Sequence, residues 1–184
     1  IPQEAVELKL AGEVTIRVRL VDCVGFMVEG AAGHLEDGAE RLVKTPWYDH
    51  EIPFTQAAEL GTRKVITDHS TIGVVVTTDG SFSDLPQETY LDAENQAISE
   101  LKKLHKPFLV LVNSSHPSSR TAREAAERIE KQHSVAAMPV NCAQLSEEDI
   151  RQIMEQILYE FPVSRVEFYM PKWVEMLPFS HPLK

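Results

Sequence analysis

Val14 to Gly25 reads VTIRVRLVDCVG, and the rest of the chain is arranged around this stretch. Val14, Ile16, Val18 and Leu20 fall on one face of an alternating run, the period of a half-buried β-strand. The run closes on Val21 and then sets a carboxylate at Asp22 and a glycine at Gly25, giving the pattern hhhDxxG. Open α/β sheets keep their ligands at the carboxyl ends of their strands. A carboxylate in that position can hold Mg2+ through water, and a glycine three residues later lets a backbone N–H approach a terminal phosphate. The same residues also suit an ordinary turn after a strand.

Upstream, Val6, Leu8 and Leu10 alternate with Glu7 and Lys9, and Ala11-Gly12-Glu13 turns the chain back into the Val14 strand. This predicts an antiparallel hairpin. Downstream, Phe26 to Pro53 lacks sustained periodicity and is dotted with Gly30, Gly33, Gly38 and Pro46, so a long functional loop is expected. Phe54 to His69 then shows helical spacing, weakened in its middle by Gly61. Ile72 to Thr77 and Phe108 to Val112 are apolar throughout and read as parallel strands buried on both faces. Between them, Asp84 and Pro86 announce a helix with Leu91, Ile98, Leu101 and Leu104 on one face.

Ser118 or Ser119 caps the next helix, whose apolar face is Ala122, Ala125, Ala126 and Ile129. Val135 to Val140 follows as a strand, with Pro139 pointing to a sheet edge. Ser146 and Asp149 form a capping-box pattern before Ile150, Ile153, Ile157 and Leu158, until Phe161-Pro162 ends that helix. Val163 to Met170 alternates again as a last strand. The order is β-β-loop-α-β-α-β-α-β-α-β, which predicts a parallel sheet with helices on both faces.

The 184 residues suit one α/β domain, 43% apolar and 25% charged. A formal charge of −10 argues against nucleic-acid binding and against docking on anionic lipid through a basic patch. Cys23 and Cys142 stand far apart without a partner motif, so no disulfide framework or zinc site is indicated and a reducing, cytosolic setting is expected. No apolar run approaches the roughly 20 residues of a bilayer span. The chain starts at Ile1 without an initiator Met, which predicts a fragment or a processed form.

Asp22-Cys23-Val24-Gly25 fits the switch II motif of phosphate-hydrolysing P-loop proteins, and a hairpin leading into DxxG is the arrangement that follows the P-loop and switch I in Ras-like domains. No GxxxxGK[ST] run occurs, so the Gly-rich phosphate cradle and its Lys are missing. The expectation is an amino-terminally incomplete domain. Its sheet should then have an open edge on the Ile72 strand and on the Val14 strand, between which the P-loop strand would lie.

VRLVDCVGFMVEGAAGHLEDG, TPWYDHEIPFTQAAELGTRKVITDHSTIGVVVTTDGS, KPFLVLVNS and LYEFPV closely resemble the stage IV sporulation protein A family, the spore-coat morphogenetic ATPases of endospore-forming bacteria. The resemblance implies an α/β, Ras-like P-loop NTPase fold of the TRAFAC type, mostly parallel with an antiparallel hairpin strand. It implies an NTPase domain over 1–162 that lacks its P-loop and switch I, with 163–184 as the last strand and the start of a following domain. ATP and Mg2+ are the implied cofactors. Hydrolysis is expected to drive self-assembly into a basement layer around the forespore, in the mother-cell cytoplasm. The implied partners are further copies, a small amphipathic membrane-anchoring peptide and other coat proteins, with no nucleic acid and no membrane span.

By the same resemblance Asp22 is the Walker B acid that binds Mg2+ through water, and Gly25 donates its N–H to the γ-phosphate. Phe26 stands where Ras-like GTPases have a water-orienting Gln, so hydrolysis must borrow another group and should be slow. Asn113-Ser114-Ser115-His116 replaces the guanine-reading NKxD: Ser114 replaces the Lys and His116 the Asp, which removes guanine selectivity. Asn113, Ser114, Asn141 and Cys142 are candidates for the base side of the nucleotide; Asn113 and Asn141 are equally ordinary turn residues. Thr77, Thr78 and Asp79 either approach the nucleotide or form a strand-end turn. Trp47-Tyr48 reads as a loop core or, alternatively, a partner anchor. The competing function is an interaction module that keeps this fold without hydrolysing nucleotide. A flavodoxin-like or receiver domain fits poorly, because such domains have no hairpin before DxxG.

Overall fold

The computed structural model describes residues 2–11, 14–36, 38–162, 173, 176–178 and 181. The expected strand at Val163 to Met170 lies outside them. The chain opens on the hairpin: β1 (Val6–Lys9) and β2 (Thr15–Val18) pair antiparallel with Val6 opposite Val18 and Leu8 opposite Ile16. The strand is shorter than its alternation suggests. Ile16 and Val18 are half-buried, whereas Val14 and Leu20 are exposed, so the ladder stops before Asp22.

The long loop is not featureless. It holds two short antiparallel pairs, β3 (Leu35–Glu36) with β4 (Ala39–Glu40) and β5 (Leu42–Val43) with β6 (Ile52–Pro53). Their residues are too few for a sequence period to register. β6 runs directly into α1 (Phe54–Lys64), which continues as a π-helical turn over Val65–His69. Gly61 does not interrupt it, because the Trp47 ring lies over that position at van der Waals range and Lys64 Nζ sits 5.8 Å from the ring centroid. Trp47 therefore lies against α1, where it remains exposed, and does not form a core within the loop.

β7 (Gly73–Thr78), α2 (Leu91–Lys103), β8 (Phe108–Asn113), α3 (Arg120–His133), β9 (Ala137–Val140) and α4 (Glu147–Tyr159) complete the described fold. The three strands form one parallel sheet in the order β7-β8-β9. On one face Ile98, Leu101, Ala125, Ala126 and Ile129 of α2 and α3 cover Val75, Val110 and Val112. On the other, Ile153 and Ile157 of α4 cover Leu109, Leu111 and Val140. Helices on both faces of a parallel sheet are as expected. β7 approaches α2 so closely that a Cβ at Gly73 would lie 2.7 Å from Leu101 Cδ2.

Local signals are met where a single helix decides them. Ser119 caps α3 by accepting from Ala122 N–H, and Ser146 and Asp149 form a reciprocal capping box on α4. Leu104 falls just beyond α2 and is exposed, as are Ile150 and Leu158, because the apolar stripe of each helix is narrower than its composition allows.

Two expectations are corrected. The hairpin does not extend the parallel sheet but forms a two-stranded sheet of its own, since the residues following β2 and the edge of β7 line a common cleft instead of sharing ladder bonds. β7 is not buried on both faces either. It is an edge strand among the described residues, with Val74 41% and Val76 58% exposed, because α4 covers only β8 and β9 on that side. Val74 and Val76 thus line the cleft shared with the residues that follow β2.

Candidate active site

The cleft between the DxxG segment and β7 has a volume of about 420 Å3. Val21, Asp22, Gly25 and Phe26 line one part of it; Thr62 and Val65 of the α1 region and Val74, Val76 and Thr77 of β7 line others. Asp22 is exposed, and its Oδ1 accepts the N–H of Cys23 at 2.9 Å. It has no ion-pair partner among the described residues, so its second oxygen is available to a hydrated cation.

Gly25 adopts φ +88°, a conformation that glycine takes without steric cost. Its amide is already engaged. Gly25 N–H donates to Thr62 Oγ1 at 2.9 Å, and the Thr62 hydroxyl donates back to Gly25 C=O at 3.1 Å. Thr62 is 3% exposed. Phe26 beside it is half-buried in the cleft wall, an apolar group where a water-aligning one would be needed. Among the described lining residues there is no Lys or Arg.

Beneath the cleft a buried ion pair joins the helices. Glu94 on α2, its side chain 1% exposed, accepts from Arg128 Nη1 at 2.8 Å and Nη2 at 3.1 Å, and from the Thr77 hydroxyl at 2.8 Å. Thr77 therefore turns towards the helix layer and braces the end of β7.

The base-side candidates converge at the carboxyl ends of β8 and β9, apart from the DxxG cleft. Asn113 Oδ1 accepts Cys142 N–H at 3.0 Å, and Asn141 Oδ1 accepts Ala143 N–H at 3.1 Å. Asn141 Nδ2 reaches Ser115 C=O at 3.5 Å. Ser114 is fully buried, and its hydroxyl donates to Asp79 Oδ2 at 2.6 Å while accepting His116 N–H at 3.1 Å. It therefore ties the β8 loop to the β7 loop and offers no surface to a ligand in this conformation. Cys142 packs against the α4 core, and burial pushes its thiol up. His116 is exposed. Thr78 Oγ1 accepts Gly80 N–H at 3.0 Å, so Thr78 and Asp79 build a strand-end turn.

Sequence reasoning missed Thr62, Glu94 and Arg128. Each lies on an amphipathic helix with no motif around it, and only the tertiary contact reveals its role.

A parallel sheet with helices on both faces, and a DxxG segment that shares a cleft with the side of β7, make this an α/β domain. The chain belongs to the stage IV sporulation protein A ATPase-domain family: the family model, "Stage IV sporulation protein A, ATPase domain", matches residues 1–162. Stage IV sporulation protein A of Clostridioides difficile (strain 630) is 45% identical over 184 residues, all of this chain and 38% of that protein. The proteins of the same name from Bacillus anthracis and Bacillus subtilis (strain 168) are each 38% identical over the whole chain, which covers 37% of their length. The chain thus spans under two-fifths of the curated relatives it matches. No solved structure matches it.

Proposed function

We propose that this chain is the switch II to carboxyl-terminal part of a Ras-like ATPase domain whose Mg2+-dependent ATP hydrolysis drives self-assembly of a spore-coat protein. The observation that carries the reading is the placement of Asp22 and Gly25 on one cleft that also exposes the free edge of β7. A strand of the full-length protein laid on that edge would bring its own carboxyl end, and any phosphate cradle following it, next to Asp22. In this reading Asp22 would hold Mg2+ through water, and the ion, when bound, would supply charge neutralisation to the phosphates. Gly25 N–H meets the terminal phosphate, and the Asn113 and Asn141 loops frame the base side without a guanine-selecting carboxylate. Phe26 supplies no water-orienting group, so turnover is slow and depends on a residue from elsewhere in the assembly. Polymerisation into a basement layer at the forespore surface, with an amphipathic membrane-anchoring peptide and further coat proteins as partners, belongs to the same proposal.

The lack of basic residues among the described cleft lining favours a second reading, an interaction module that does not hydrolyse nucleotide. One experiment separates them. In the full-length protein, Asp22→Asn should abolish Mg2+-dependent phosphate release and ATP-dependent filament growth. Its melting temperature should stay close to wild type, because Asp22 is exposed and makes only a local hydrogen bond. Wild-type turnover in that variant removes Asp22 from the chemistry, and absence of turnover in the wild type leaves the interaction module.

A further inference from the structure

The DxxG glycine is expected to offer its amide to a terminal phosphate, yet that amide is already occupied. Thr62 stands 37 residues away on α1, buried, and its single hydroxyl both accepts from Gly25 N–H and donates to Gly25 C=O. A backbone N–H is one donor. It does not serve Thr62 and a phosphate oxygen at full strength together. We infer that Thr62 is a positioning residue for Gly25: its hydroxyl holds the glycine while the terminal phosphate is absent and hands the amide over when that phosphate binds.

Three features of the site favour a handover over a static brace. Both bonds run through one hydroxyl, so rotating one side chain releases the amide and the carbonyl together. Gly25 sits at φ +88° with open space where a side chain would stand, and glycine reaches other backbone conformations at less cost than any residue with a side chain. Thr62 lies one turn before the π-helical Val65–His69 segment, and the carbonyls of Ile66 and Thr67 within it and of Ser70 just after it receive the ammonium of Lys106. The amino-terminal side of α1 follows the loop that begins at the DxxG segment, and its far side is fastened to the sheet through Lys106. A change at Gly25 is thereby felt by one anchored helix.

The inference rests on the nucleotide reading above, and its test tells the two apart. Binding of Mg2+-ATP and Mg2+-ADP to the full-length protein is measured for wild type, Thr62→Val and Thr62→Ser. Only ATP carries the phosphate that meets Gly25, so Thr62→Val should tighten ATP binding and leave ADP binding unchanged. The ATP-to-ADP affinity ratio should rise about fivefold, the factor that one ordinary net hydrogen bond represents. Thr62→Ser keeps the hydroxyl and should keep the wild-type ratio. Gly25 amide exchange should speed up in Thr62→Val and stay slow in Thr62→Ser, an independent reading of the bond. A brace that only holds the fold would lower the melting temperature and shift both nucleotides alike. Equal shifts, or an unchanged ratio with wild-type Gly25 exchange, overturn the role of Thr62. Failure of the wild type to bind ATP overturns the nucleotide reading itself, and the handover with it.

Discussion

The Asp79 carboxylate accepts three hydrogen bonds: from the Ser114 hydroxyl at 2.6 Å, the Ser81 hydroxyl at 2.6 Å and the Ser81 amide at 3.0 Å. Burial pushes its carboxyl up, but the bonds from Ser114 and Ser81 outweigh burial and hold it below the ordinary carboxylate value. A folded-state pKa below the unfolded one means stabilisation that is complete above the unfolded value, about 4, and fades as pH falls through the folded value. Asp79→Asn should therefore flatten the loss of stability in the acid range below about pH 4 relative to wild type. Urea titrations at pH 7 and at pH 3 measure it, and an equal stability deficit at both sets Asp79 aside as a source of the acid slope. Ser114→Ala should cost about 1 kcal/mol at pH 7, the low end for a bond to a charged group because Asp79 is half-exposed. The sequence placed Ser114 at this loop through its position in the lost NKxD pattern. That its hydroxyl faces inward to Asp79 was not legible, because the partner lies 35 residues away and both orientations fit the same string.

At the scale of elements, the helix layer over β7 is joined by charge as well as by apolar contact. Glu94 on α2 and Arg128 on α3 form a forked pair, buried at the carboxylate and 31% exposed at the guanidinium. Removing one partner strands a charge, whereas removing both does not. Arg128→Met should cost about 3 kcal/mol, and the Glu94→Gln/Arg128→Met double variant should cost less than that single change. Chemical denaturation of the four proteins in the cycle, single Glu94→Gln included, gives the coupling; additive losses would mean that the pair does not act as a unit. The helices themselves were readable. Ser119, the Ser146-Asp149 box and the Ala122 to Ile129 stripe are local devices, settled within one or two turns of the residues that form them. Glu94 reads as a surface acid in the string, since helical spacing gives no hint that Arg128 and Thr77 reach it from other elements. β7 was misread for a related reason. Periodicity reports that Val74 and Val76 are apolar and says nothing about what lies beside them.

For the whole molecule, the two edges of the parallel sheet are built differently. Gly73 N–H bonds Pro107 C=O and Asp79 N–H bonds Asn113 C=O, so the odd positions of β7 face β8 and Val74, Val76 and Thr78 turn their amides and carbonyls outward. The opposite edge offers fewer donors. Of the outward positions on β9, Ala137 N–H is taken by Glu130 Oε1 at 3.3 Å and Pro139 has no N–H to give. Among the described residues, lateral addition to this sheet is favoured at the side that faces the DxxG cleft. An apolar strand edge left bare is a template for pairing or for aggregation. In the 184-residue chain alone, the amides of Val74, Val76 and Thr78 should exchange with solvent faster than those of Val110 and Val112 in the middle strand. In the full-length protein they should become as protected as the middle strand, the outcome required by the proposal that a further strand is laid on this edge. Val76→Lys should lower the stability of the full-length protein by about 1–3 kcal/mol, the loss expected when a covered apolar side chain becomes charged, while scarcely altering the isolated chain, in which Val76 is 58% exposed. Rapid exchange at Val74, Val76 and Thr78 in both forms would mean that this edge remains unpaired in the whole protein and would overturn the added strand.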